Sequence, residues 1–129
     1  MASSYYKPCA ELDRCNELIA KYWETKEYDK LFAGYLPLAE LDYPLAECQI
    51  GYFYCEGLGV EKDLEKAFYW TRRAAEHGDW DGQFNLGCFY EEGSGTDRDM
   101  EQAVRWYREA ARQGHELAIK KCEELDIAL

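Results

Sequence analysis

The chain has 129 residues, 47% of them hydrophobic and 20 aromatic (11 Tyr, 5 Phe, 4 Trp), enough for one packed domain and too apolar for a disordered segment. Fifteen basic residues against 26 acidic ones give a net charge of −11, which would repel a phosphate backbone and argues against nucleic-acid binding. No run of 18 or more apolar residues is present, so no membrane span is expected, and the start from Met1 to Pro8 lacks the apolar core of an export signal.

The acidity is shared along the chain, and no Ser/Pro/Gly-rich linker divides it. A single domain over 1–129 is therefore expected. Its parts are a divergent helix pair (1–45), two repeats (46–81 and 82–117) and a capping helix (118–129). The division rests on self-similarity. Shifted by 36 residues, block 46–81 overlays 82–117 without a gap, and 14 of the 36 pairs are identical. A period of that size marks a solenoid, whose units cannot bury their apolar faces alone.

In chain order the elements read as seven helices near 9–24, 27–41, 44–56, 63–77, 80–92, 99–113 and 116–127. Apolar residues recur at three- and four-residue intervals, as at Ala46, Ile50, Phe53 and Tyr54. The first unit keeps the register weakly. Lys26-Glu27-Tyr28 replaces the glycine loop of the later units, and Pro37 is expected to kink or shorten the second helix. Pro44 suits the first turn of the next one. In each repeat Gly57 or Gly93 is placed to stop the first helix in a left-handed C′ conformation. Asp63 and Asp99 stand at N-cap positions, and Asp99 has Gln102 three residues on, as in a capping box. Gly51 and Gly87 fall inside helices, at a cost of about 1 kcal/mol each relative to Ala. Such a cost implies helices crossing too closely for a Cβ, with Ala74-Ala75 and Ala110-Ala111 on the facing helix and Trp70 and Trp106 between layers.

The run Leu86-Gly87-x-x-Tyr90-x-x-Gly93-x-Gly95-x-x-x-Asp99-x-x-x-Ala103-x-x-Trp106-Tyr107-x-x-Ala110-Ala111-x-x-Gly114-His115 resembles the Sel1-like repeat, a variant of the tetratricopeptide repeat. The unit from Ile50-Gly51 to Gly78 matches almost as well, with Thr71 where a second aromatic is usual. The resemblance implies an all-α fold, an α/α superhelix of antiparallel helix pairs. It also implies a non-catalytic adaptor or scaffold, and names no partner.

The six cysteines all sit on or beside first helices or the last helix: Cys9, Cys15, Cys48, Cys55, Cys88 and Cys122. A secreted, cysteine-rich branch of the family bridges the two helices of each repeat, a pattern these positions do not allow. Cys48 and Cys55 stand about 10.5 Å apart along a helix, beyond a bridge's roughly 4.4–6.8 Å. Reduced thiols and a cytoplasmic setting are expected, with bridges between neighbouring first helices left open. Ligand spacing for zinc is absent, and His77 and His115 read as helix caps or dipole partners. The Gly57-Leu58-Gly59 and Gly93-Ser94-Gly95 loops follow helices and lack a phosphate-binding continuation. Asp97-Arg98-Asp99 lacks the rest of a calcium loop. No nucleophile–base set is legible, so neither enzyme activity, cofactor nor metal is expected.

In this architecture first helices line the concave face. Counted from the internal glycine, the free positions there are Gln49 and Asn85, Tyr52 and Cys88, Cys55, Glu56, Glu91 and Glu92, with Asp13 and Asn16 in the divergent unit and Lys121 in the last helix. Amides, a tyrosine and carboxylates suit an extended peptide or a basic protein surface. Two alternatives stand beside this adaptor reading: an acidic inhibitor mimicking nucleic acid, and a binder of a small ligand such as a cell-wall fragment. A monomer or weak dimer is expected.

Overall fold

The computed structural model describes residues 10–129, with side chains from Leu12 onward. Cys9 and the start of the chain lie outside the described residues. Among the described residues seven α-helices follow one another: α1 (Ala10–Leu18), α2 (Tyr28–Glu40), α3 (Pro44–Glu56), α4 (Leu64–Glu76), α5 (Trp80–Glu92), α6 (Met100–Arg112) and α7 (Glu116–Glu124). Among the described residues there is no strand. Each helix packs chiefly on its neighbours in sequence, and α3 also touches α5, so that first helices lie side by side. That is an α-solenoid of helix pairs.

Local chemistry sets the boundaries. Pro44 occupies the first turn of α3, where its missing N–H costs nothing. Asp63 and Asp99 cap α4 and α6, accepting from the backbone N–H of Lys66 at 3.0 Å and of Gln102 at 3.1 Å. The reciprocal arm expected of a capping box is not used at Asp99. Its N–H donates at 2.9 Å to the Tyr90 carbonyl at the end of the preceding helix. Gly57 and Gly93 close α3 and α5 in left-handed geometry, φ 70° and 69°.

The glycines inside α3 and α5 mark close crossings, as expected. A Cβ on Gly87 would come within 2.6 Å of the Tyr107 ring, and one on Gly51 would collide with the Thr71 hydroxyl. Ala74 serves a different contact from the one expected: it faces Gly82 of the next pair, whose Cβ would meet that of Ala74 at 2.9 Å. Trp106 is buried between layers, whereas Trp70 is only half-buried, with the Arg73 guanidinium 5.0 Å from its ring centre.

The divergent pair differs in two respects. Pro37 lies inside α2 without shortening it, since α2 has 13 residues like α3 to α6. It sits in the last turn and faces solvent, where the lost hydrogen bond disturbs little. The first helix is not a continuous α-helix: after Leu18 it passes into a π-helical turn, Ile19–Trp23. The chain thereby runs further before turning, through Lys26 in left-handed geometry at φ 58°. At the other end Leu125 and Ile127 fold back onto the cluster of Ala103, Tyr107, Ala110 and Cys122. The backbone carbonyl of Ala128 there accepts from Arg108 Nε at 2.9 Å.

Candidate functional site: the first-helix face

Helical spacing puts Gln49, Tyr52 and Glu56 on one face of α3, and Asp81, Asn85, Cys88 and Glu92 on the matching face of α5. Because α3 and α5 lie side by side, these rows border a shared depression made of two cavities. One, about 320 Å³, is lined by Trp23, Cys48, Gln49, Tyr52, Asp81, Phe84, Asn85, His115 and Leu117. The other, about 240 Å³, is lined by Tyr52, Cys55, Glu56, Thr71, Asn85, Cys88, Phe89 and Glu92. Tyr52 and Asn85 border both, joining them into one groove. A larger hollow of about 610 Å³ lies against α6 alone, from Met100 to Arg108, and a single helix gives it no converging walls.

Gln49, Tyr52, Asn85, Cys88, Glu56 and Glu92 thus come together, with Cys55. Asp13 and Asn16 are exposed on α1 and line neither cavity; Trp23, the last residue of the π turn, takes that side. Glu91 and Lys121 are engaged with each other at 3.1 Å, and Glu91 also accepts from the Tyr107 hydroxyl at 2.6 Å. The Tyr107 bond, then the Lys121 ammonium, hold the Glu91 carboxyl below its usual range, while burial and then Glu91 push the Tyr107 phenol up.

The groove is electronegative. Burial and then the Glu56 charge raise the Tyr52 phenol. Burial, then Glu56 with a smaller share from Glu92, raises the Cys55 thiol, against an opposing pull from Lys62. Burial raises Cys88, Tyr107 partly offsets it, and Glu92 adds to it. Cys48 is pushed up to about 12 by burial and then by the charges of Asp81 and Glu47. Such thiols are protonated at neutral pH and are poor nucleophiles or metal ligands. Cys48, Cys55, Cys88 and Cys122 are unbridged.

A second polar cluster was not legible in the sequence. Glu47, fully buried at the start of α3, accepts from Arg73 Nε at 2.9 Å and lies 2.6 Å from His77 Nδ1; Arg73 also pairs with Asp42. Ligand atoms of Asp42, Glu47 and His77 all lie within 4.8 Å of one another. Arg73 sits among them and already supplies the positive charge, so the cluster is an internal ion network rather than an open ligand set. His115 caps α7, its Nδ1 accepting from the Ala118 N–H at 3.3 Å while Nε2 faces Asp81 at 2.9 Å. His77 stands at the C-terminal end of α4 and turns to Glu47.

Paired helices stacked in register, with a groove along the first helices, define an α-solenoid. The Sel1 repeat matches residues 44–79 and 80–115, and the chain belongs to that family. A Sel1 repeat protein from Oxalobacter formigenes is 40% identical, with a TM-score of 0.80 over 88% of this chain and 45% of that one. A protective antigen of uropathogenic Escherichia coli displaying an SLR fold is 33% identical, TM-score 0.78, over 96% of this chain and 26% of its own. Helicobacter pylori cysteine rich protein B is 27% identical, TM-score 0.67, over 87% and 96%. The chain thus spans less than half the length of the first two. No curated protein matches it. Proteins built from these repeats generally serve as protein-interaction scaffolds and are typically non-catalytic. No helix among the described residues is long and apolar enough to cross a membrane.

Proposed function

We propose that the protein is a non-catalytic interaction module whose concave, first-helix face takes an extended peptide segment with basic side chains. The observation that carries this reading is the continuity of the two cavities through Tyr52 and Asn85, bordered by Glu56 and Glu92. Gln49 and Asn85 offer amides to a peptide backbone, Trp23, Phe84 and Leu117 offer apolar contact at one end, and the carboxylates select cations at the other. The unbridged thiols favour a reducing, cytoplasmic setting.

A display library of random extended peptides, panned against the protein, tests the reading. Enriched sequences should carry Lys or Arg, and should be lost on a Tyr52→Ala, Asn85→Ala, Glu92→Gln triple variant that keeps its melting temperature. Enrichment of acidic peptides, or of none, overturns it. Repeating the selection at about 0.5 M salt separates it from an acidic decoy, whose exposed charge contacts would be screened away.

A further inference from the structure

The two matched repeats differ at the residue facing the close-approach glycine. In the third pair Tyr107 fills the slot between α5 and α6: its ring lies over Gly87, its hydroxyl donates to Glu91 at 2.6 Å, and Glu91 holds Lys121 at 3.1 Å. One period earlier those three positions are Thr71, Cys55 and Asn85. The ring, the acid and the base that plug the third pair are all absent. Gly51 is retained, and the Thr71 hydroxyl stands against it where the Tyr107 ring stands against Gly87. In place of the plug is the cavity of about 240 Å³, with buried Thr71 and Phe89 at its floor and exposed Glu56 and Glu92 at its mouth. Among the described residues neither of these two glutamates forms a salt bridge.

We infer that this unplugged slot is a specificity pocket for one long cationic side chain, arginine or lysine, of the bound peptide. The chemistry of the walls decides the guest. An aliphatic stem packs against Phe89 and the small Thr71 and Cys88 side chains, while the charged head stays at the mouth between Glu56 and Glu92. A leucine or phenylalanine would satisfy the floor and leave two carboxylates unpaired, and an acidic side chain would be repelled by both. The guest repeats from outside what the third pair does internally, where ring, acid and cation are stacked in the order Tyr107, Glu91, Lys121. This inference rests on the groove reading above and narrows it to a residue class and a position.

The test titrates the isotope-labelled chain by NMR with N-acetyl-arginine methylamide, and in parallel with the leucine and glutamate analogues. Saturable amide shifts at Thr71, Cys88 and Phe89 are expected with the arginine probe, and binding about tenfold weaker or worse with the other two. Thr71→Tyr copies the plug of the third pair. It should keep or raise the melting temperature and abolish the arginine shifts. If Thr71→Tyr fails to fold, the surface double variant Glu56→Gln, Glu92→Gln takes its place and should weaken arginine binding severalfold. Equal binding of the leucine probe, no shifts with arginine, or undiminished binding by a folded Thr71→Tyr variant overturns the slot. Library peptides that bind wild type and Thr71→Tyr equally, yet are lost from Tyr52→Ala, Asn85→Ala, would remove the slot and leave the groove standing.

Discussion

The repeats at 44–79 and 80–115 share their packing glycines, αL stops and aspartate caps, and differ in what fills the polar gaps between helices. The second pair has an ion network around the buried Glu47, with Arg73 and the exposed His77. At the matched positions the third pair has Gln83 and Gln113, joined at 2.6 Å as neutral amides. The second pair has Thr71 in an open slot; the third has Tyr107 in a closed one. The backbone scaffold is thus set by a few small residues and caps, while the space they leave admits more than one chemical solution. The solvable gaps are where two repeats of one chain can diverge in function.

The largest effect expected is from opening the closed slot. Tyr107→Thr removes a fully buried ring and leaves Glu91 without its phenol, and should destabilise by roughly 3–5 kcal/mol in denaturant unfolding. A loss below about 1 kcal/mol would mean that Tyr107 is not the plug the comparison requires. Arg73→Met should cost about 3 kcal/mol, because it leaves the buried Glu47 carboxylate facing His77 alone. Adding Glu47→Gln should restore part of that loss, and a strictly additive pair would show that the network is not coupled. The matched change in the third pair, Glu109→Met, touches only an exposed bond to Arg112 and should stay within about 0.5 kcal/mol. Gly87→Val forces side-chain carbons into the Tyr107 ring and should cost roughly 1–3 kcal/mol; an unchanged melting temperature would sink the close-crossing account.

The cap at the junction of the two repeats gives a pH signature. Asp79 is buried, accepts from the Gly82 N–H at 2.7 Å, and is pushed up to about 7 by burial, with Asp81 adding to it. Its folded value lies above the ordinary 3.8, so the stability it contributes is present below about pH 4 and is lost as pH rises through about 7. Asn caps as well as Asp and carries no charge. Asp79→Asn should therefore match wild type near pH 4 and gain of order 1 kcal/mol over it at pH 8. A difference that does not change with pH would remove the burial argument.

Period, caps and close crossings were legible because each is a backbone requirement met by one residue type at one place: Gly57 for positive φ, Asp63 for an orphan N–H, Gly51 for clearance. The Thr71 departure could be seen, yet its consequence could not, since an open slot needs Cys55 and Asn85 to be small or neutral as well. Glu47 was hidden for another reason. An acid in the first turn of a helix reads as an exposed dipole partner, and nothing in sequence marks the arginine 26 residues on that buries it. Trp23 joined the groove in place of Asp13 and Asn16 because of the π turn, which the apolar period does not disclose.

The smallest change tests whether the two polar solutions are interchangeable. His77→Gln installs in the second pair the residue that the third pair has as Gln113. There the amide donates both to the Gln83 side chain and to the Gly78 carbonyl, so a glutamine at this place can reach its partner across the helix pair. In the second pair Glu47 would keep its Arg73 bond and exchange an imidazole contact for an amide N–H, a trade worth about 0.5 kcal/mol or less. His77 is well exposed, so no buried gap opens behind it. Equilibrium unfolding near pH 7 should therefore hardly distinguish variant from wild type. A loss above about 2 kcal/mol would show that Glu47 depends on the imidazole itself. The ion network would then be a requirement of the second pair rather than one of two equivalent ways to fill the gap.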